Sequence, residues 1–272
     1  MFEVQKRGEL VKRLTMILWG AAGVGKTTFA ATAPGAKLWL SLGDNEHMSV
    51  VDRKDVDVIP LYKYAYAEVL ESGRSYNPFN LDRILSERED IDTVVFDSLT
   101  ALSDIALRQA VDMRLMTGKQ APTIENPGWA AYGGRNAMTL TVMNRLLNVA
   151  AKHGVHLIMT AHEADPEKDD KGDVQSYSIM LGGKLVNNIA WRISEFWYMS
   201  EDGRGRQLAI RPTRKRKPMK SRMFKGVGPP EFVLDYDADK PDAGQMTIAS
   251  FFNKWAANGS KLPIPPSRRD KP

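Results

Sequence analysis

Apolar runs and polar breaks alternate along the chain, and most of the runs read as strands or helices. Residues 14–19 are a continuous apolar stretch, the pattern of a strand covered on both faces. Residues 27–33 read as a helix closed by Pro34-Gly35, and 36–42 as a second strand ended by Gly43-Asp44-Asn45-Glu46. A third strand is expected over 56–62. Helical spacing over 64–72 and 80–89 is divided by Asn77-Pro78. Residues 92–97 are β-branched and apolar and end in an acid, which reads as a buried parallel strand. A helix is expected over 99–116, an irregular glycine- and proline-bearing stretch over 117–134, and a second helix over 136–153. Another buried strand follows at 155–161, then a polar loop over 163–177. A short helix spans 184–190, and 193–199 pairs with 206–211 across Asp202-Gly203, a hairpin signal. An amphipathic helix over 246–257 is the last regular element. Strands alternating with helices across 14–211 predict an α/β fold with a mostly parallel sheet covered on both faces.

Composition narrows the setting. The 272 residues are 43% hydrophobic and 26% charged, which suits a globular chain with a sizeable core. Cysteine is absent, so disulfides and thiolate metal sites are excluded and a reducing, cytoplasmic setting is expected. The first ten residues carry charges where a signal peptide needs an apolar core, and no apolar run approaches membrane-spanning length. Net charge is +5, unevenly placed: residues 211–225 hold eight Lys or Arg and no acid. A cluster of that kind points to a polyanion partner.

The chemistry centres on Gly20-Ala21-Ala22-Gly23-Val24-Gly25-Lys26-Thr27, followed by Thr28. It fits the phosphate-loop pattern at every fixed position and sits between an expected strand and helix, the context the motif requires. Backbone N–H groups turn inward around a polyphosphate and the helix start adds positive potential. Lys26 would reach the β- and γ-phosphates of ATP, and the Thr27 hydroxyl would ligate Mg²⁺. Asp97, at the end of a buried strand downstream, suits a second Mg²⁺-positioning group.

Residues 93–102, with Asp97-Ser98 followed by a small-residue helix start, resemble the second nucleotide motif of RecA-type recombinases. The strand ending in His162 is similar to that family's sensor strand, and Gly182-Gly183-Lys184 to the element after its second DNA loop. The closest likeness is to phage-encoded P-loop proteins made of little more than a RecA-like core, some of which anneal single strands. The polar, mixed residues 1–13 read as an N-terminal arm, and the basic, proline-bearing residues 259–272 as a disordered tail. The resemblance implies a RecA-like ATPase domain between them, over 14–258, with a C-terminal β-hairpin addition. It implies Glu46 as the water-activating carboxylate, with Asp44 a rival, and His162 as γ-phosphate sensor. Lys220 and Arg222 resemble the Lys-x-Arg pair that reaches the ATP of a neighbouring subunit, which implies a ring or filament. DNA contacts would come from two loops and the basic segment: Lys119, Trp129, Arg135, Lys184, Arg214, Lys215, Arg216 and Lys217. Single-stranded DNA is then the expected partner in a phage-infected cell, and a single-strand DNA-binding protein a further one. A regulatory ATPase similar to clock-type RecA relatives, or a helicase-like motor, is the alternative.

Overall fold

The computed structural model describes residues 12–63, 80–113, 122–182, 185–203, 205–236 and 245–265. In chain order the elements are β1 (Thr15–Gly20), α1 (Lys26–Ala30), β2 (Ala36–Ser41), β3 (Val56–Pro60), α2 (Leu81–Glu87), β4 (Ile91–Asp97) and α3 (Leu99–Asp112). They continue with α4 (Gly128–His153), β5 (His156–His162), β6 (Glu167–Lys168), β7 (Val174–Ser176), α5 (Leu185–Ala190), β8 (Glu195–Asp202), β9 (Gly205–Ala209), β10 (Glu231–Val233) and α6 (Ile248–Asn258). Eight strands form one sheet in the order β10-β9-β8-β1-β5-β4-β2-β3. All pairings from β8 to β3 are parallel; β8–β9 and β9–β10 are antiparallel.

Alternation along the strands builds a core on each face of this sheet. Ile17, Trp19, Val94, Phe96 and Tyr198 point to the face covered by α3, α4 and α5. Met16, Leu18, Val95, Trp197 and Leu208 point to the other, covered by α1 and α6. Period-2 alternation with both faces apolar is why these strands read as nearly unbroken hydrophobic runs. Helix α6 starts on a Thr247–Ser250 capping box, and its first backbone N–H groups donate to Thr32 Oγ1 and O, just beyond α1.

Three stretches depart from the expected pattern. Helix α4 begins at Gly128, not at 136, so Trp129, Tyr132 and Arg135 lie on its first two turns and not on an irregular loop. Gly133 and Gly134 each cost about 1 kcal/mol in a helix, which masks the signal. Propagation from a second half that buries Val142, Met143 and Leu146 carries the helix through them. Residues 163–177 are not wholly irregular: β6 and β7 pair there as a small antiparallel ribbon. Within residues 259–265, expected in a disordered tail, Leu262 joins the core: it is 8% exposed and pairs backbone groups with Met223 and Lys225. Residues 1–11 of the expected arm, the helix over 64–72, Gly183, and residues 266–272 of the expected tail lie outside the described residues.

One buried histidine makes this fold pH-sensitive. His156 Nδ1 accepts the backbone N–H of Leu14 at 2.9 Å, and its ring meets the edge of Phe252. Burial lowers its pKa to about 4. Because the folded value lies below the unfolded one, the contribution is complete above pH ~6.5 and is lost as pH falls toward 4, by up to about 3 kcal/mol. His156→Leu should cost about 1–3 kcal/mol at pH 7, since Leu14 N–H loses its acceptor. In urea unfolding at pH 7 and pH 4.5, the gap between variant and wild type should narrow at the lower pH. An unchanged gap would contradict the neutral, accepting imidazole.

Candidate functional site

Strand β1 ends on Gly20, where the chain turns into the phosphate loop. A Cβ at Gly20 would sit 2.1 Å from Met199 O, so only glycine lets β8 pass this closely. Gly25 takes φ 90° and caps α1 in the left-handed region, a second position that excludes ordinary side chains. Ala21, Ala22 and Gly23 are exposed, while Val24 and Lys26 are buried beneath the loop. Lys26 Nζ donates to Gly20 O at 3.0 Å and Ala21 O at 2.7 Å. Burial lowers the Lys26 pKa, and the charges of Asp97, Glu163 and Glu46 oppose that shift. Thr28 Oγ1 donates to Gly25 O at 2.8 Å. The loop is therefore ordered around its own lysine, with its outer rim open.

One strand, β5, separates β1 from β4, and Asp97, the last residue of β4, bonds across to Thr160 of β5 and to Thr27 at the start of α1. The Asp97 carboxylate is 3% exposed and accepts hydrogen bonds from Thr27 Oγ1 at 3.2 Å and from Thr160 Oγ1. Burial, with the Glu46 charge second, pushes its pKa up to about 6. Asp97 forms no ion pair among the described residues, so hydroxyls stand where a cation would neutralise it. An unpaired buried carboxylate beside a threonine hydroxyl fits a hard divalent ion such as Mg²⁺. Among the described residues no three acids or histidines cluster as a metal cage. The rest of the shell would be nucleotide oxygens and water.

The structure brings Glu46 to this point and leaves Asp44 exposed. Glu46 Oε2 accepts Gly43 N–H at 2.8 Å, and Oε1 accepts Ser98 Oγ–H at 3.0 Å. The same Oε1 lies 3.9 Å from His162 Nε2, and His162 N–H donates to Thr100 Oγ1 at 2.9 Å. Loop residues after β2 and β4 and the last residue of β5 thus converge although 52 positions separate Glu46 from Ser98. This set can orient a water molecule and sense a terminal phosphate.

Two carboxylates escaped the sequence reading. Glu163 is one of several acids in a polar stretch, so nothing marks it; in the fold it follows β5 directly and lies on the phosphate loop. Its backbone N–H donates to Gly20 O at 3.0 Å, and its carboxylate accepts the hydroxyl of Tyr198 at 3.0 Å. Glu195, 1% exposed, accepts from Ser221 Oγ, Arg222 N at 2.8 Å, Met223 N at 3.2 Å and Trp197 Nε1 at 2.9 Å. Burial pushes its pKa up to about 7 against these four donors. Glu195 therefore shapes the turn carrying Lys220 and Arg222, and its one signal was a lone acid inside an apolar run. Lys220 exchanges backbone hydrogen bonds with Phe196, which pairs with Ile17, three residues before Gly20. At about 3.3 Å per residue, the backbone of Lys220 is roughly 10 Å short of its own phosphate loop.

The expected DNA contacts are dispersed. Trp129 is 85% exposed on α4. Arg135 packs against Gly182 and Tyr132 at the rim of a cavity of about 620 Å³ lined by Thr100, Asp104 and Met180. Arg216 is not free for DNA, since it pairs with Glu231 and lies over Tyr177 and Tyr198. Arg214, Lys215, Lys217, Arg222 and Lys225 remain exposed. Lys119 and Lys184 lie outside the described residues.

The Asp97 carboxyl sets a pH limit. Its pKa is raised, so below about pH 6 it is increasingly protonated and cannot face a cation. Mg²⁺-dependent nucleotide binding should weaken by roughly tenfold per pH unit below that point. Asp97→Asn should remove the Mg²⁺ dependence at pH 7.5. Titrations with Mg²⁺ at pH 5, 6 and 7.5 check this, and a flat profile in wild type would exclude Asp97 as the cation's anchor.

No curated protein is significantly similar to the chain. A family model described as an AAA domain matches residues 12–222, which include the phosphate loop, Asp97 and the turn at Arg222. Domains of that description are nucleotide-binding and of ATPase type, and the sheet order and loop geometry are those of an α/β P-loop fold. By this match over more than half its length, the chain belongs to the AAA domain family.

Proposed function

We propose that the protein is a Mg²⁺-dependent ATPase with a RecA-like core that assembles into a ring or filament and acts on single-stranded DNA, as a phage-type recombination or annealing factor. The convergence of Thr27, Asp97 and Glu46 carries the ATPase part of this reading, with Thr27 Oγ1 3.2 Å from Asp97 and Glu46 bonded to the adjacent Ser98. On binding, the phosphates would draw Lys26 Nζ away from Gly20 O and Ala21 O, exchanging two backbone acceptors for charged ones. Bound Mg²⁺ would neutralise phosphate charge next to Thr27 and Asp97. Glu46, held at both oxygens, is placed to orient and deprotonate the attacking water, and His162 to register the terminal phosphate.

Among the described residues of one chain, this site lacks an exposed cation on the side of the terminal phosphate. The distance of Lys220 from its own loop and the Glu195-ordered turn favour service to a neighbouring copy. Arg214, Lys215 and Lys217, exposed on the same segment, favour a polyanion along that face. The regulatory alternative uses the same ATP site with a protein as output.

Arg222→Ala and Lys220→Ala should each leave ATP affinity within a few-fold and lower turnover by about 10³-fold or more, the range of a transferred arginine. Mixing Arg222→Ala protein with Lys26→Ala protein should restore part of the turnover, because each supplies what the other lacks. No recovery on mixing would argue that hydrolysis is completed within one chain. Excess single-stranded DNA at low salt should raise turnover, with DNA affinity falling steeply as salt rises. Turnover indifferent to DNA would leave the regulatory reading.

A further inference from the structure

Arg206 has no part in the reading above, yet it lies on the phosphate loop. Strand β8 runs past the end of β1: Tyr198 pairs with Trp19, and Glu201, three residues on, pairs with Arg206 of β9. The hairpin therefore overhangs the loop by roughly 10 Å. Arg206 shares a strand face with Leu208, which belongs to the core on the α1 side. Its Cζ and Nε both lie 3.1 Å from the point where a Cβ on Gly25 would be, and Thr28 Oγ1 lies 3.2 Å from the same point. Among the described residues no carboxylate pairs with this guanidinium. Its neighbour is Tyr236, whose hydroxyl accepts from Nη1 at 3.4 Å and whose ring centroid is 5.8 Å from Cζ. The Tyr236 ring in turn meets Phe29 of α1 at 5.2 Å, which fixes its position.

The polarity of a nucleotide on this loop follows from where the acids are. Asp97, Thr160, Glu46 and His162 all come from β2, β4 and β5, on one side of β1. The metal and terminal phosphate belong there. The other end of the nucleotide must leave on the side of β8, β9 and β10, past Thr28. That is where the Arg206 guanidinium and the Tyr236 ring stand together.

Building on the nucleotide-binding reading, we infer that Arg206 and Tyr236 form the subsite for the nucleoside end of the nucleotide. Arg206, with Thr28, holds the α-phosphate, and Tyr236 flanks the base. A planar guanidinium suits two oxygens of one phosphate, and a ring suits any base face. The subsite belongs to the same chain as the phosphate loop, in contrast to Lys220 and Arg222.

The test is calorimetric titration of the full chain with Mg·ATP and with Mg·tripolyphosphate, which has phosphates but no nucleoside. Arg206→Ala should weaken both ligands, by roughly 10- to 100-fold, and Arg206→Lys should recover part of the loss. Tyr236→Leu should weaken ATP about tenfold while leaving tripolyphosphate unchanged, and Tyr236→Phe should match wild type. Thermal midpoints within a few degrees of wild type show that the variants remain folded. If Arg206→Ala leaves both affinities intact, or weakens ATP alone, the α-phosphate assignment is overturned. Unchanged ATP affinity in Tyr236→Leu overturns the base contact. Wild type that binds neither ligand overturns the nucleotide reading itself, and this subsite with it.

Discussion

The arrangement depends on a carboxylate that the fold has taken out of water without giving it a cation. Asp97 ends a strand flanked on both sides by parallel neighbours, under the start of α3, and two threonine hydroxyls are its hydrogen-bond partners. Burial raises its proton affinity, the Glu46 charge adds to the rise, and the two hydroxyls oppose it only in part. The protein thereby keeps a place for positive charge at the end of the sheet, in contact with the first hydroxyl of α1. A phosphate loop alone would hold an anion; in the proposed function the buried acid beside it would select an anion that brings its own cation.

Around that point the sheet separates two kinds of chemistry. On one side of β1, the strand ends and loops bring Glu46, Ser98 and His162 together where a terminal phosphate would be attacked. On the other side, the antiparallel extension β8–β9–β10 carries Arg206 over the loop and braces the basic segment. Glu195 is the brace. Its four donors include two backbone N–H groups of the Lys220–Phe224 turn, so a change at this acid moves the cations beyond it. Glu163 joins the two sides, since its backbone N–H meets Gly20 O at the start of the loop and its carboxylate holds Tyr198, the ring on which Arg216 stacks. Loop occupancy and the placement of the basic segment share a set of contacts.

Residue type and spacing carried the parts of this site that are local. Gly20 to Thr27 is legible because its glycine spacing and the turn at Gly25 act within one strand–loop–helix unit, although the close approach of Met199 to Gly20 comes from β8. Asp97 is legible because an acid after β-branched residues marks a strand end. The start of α4 was hidden, because its first turns contain glycines and gain their stability from packing far along the helix. Leu262 was hidden by the prolines around it, since one apolar residue in a polar tail gives no period to read.

The sequence by itself therefore determined the phosphate loop, the alternation of strands and helices, and the concentration of cations after residue 210. It did so because these are patterns of neighbouring residues, governed by backbone conformation and side-chain period. Only the tertiary structure decided which of two acids packs against Ser98 and His162. Glu46 and Asp44 are equivalent in spacing, and only the packing of the β2 loop against Ser98 and His162 distinguishes them. It also decided that Glu163 touches the loop, that Arg216 is committed to Glu231, and that Arg206 stands over Gly25. Each of these contacts joins positions far apart in the chain. The order in which strands pair sets them, and no local pattern records it.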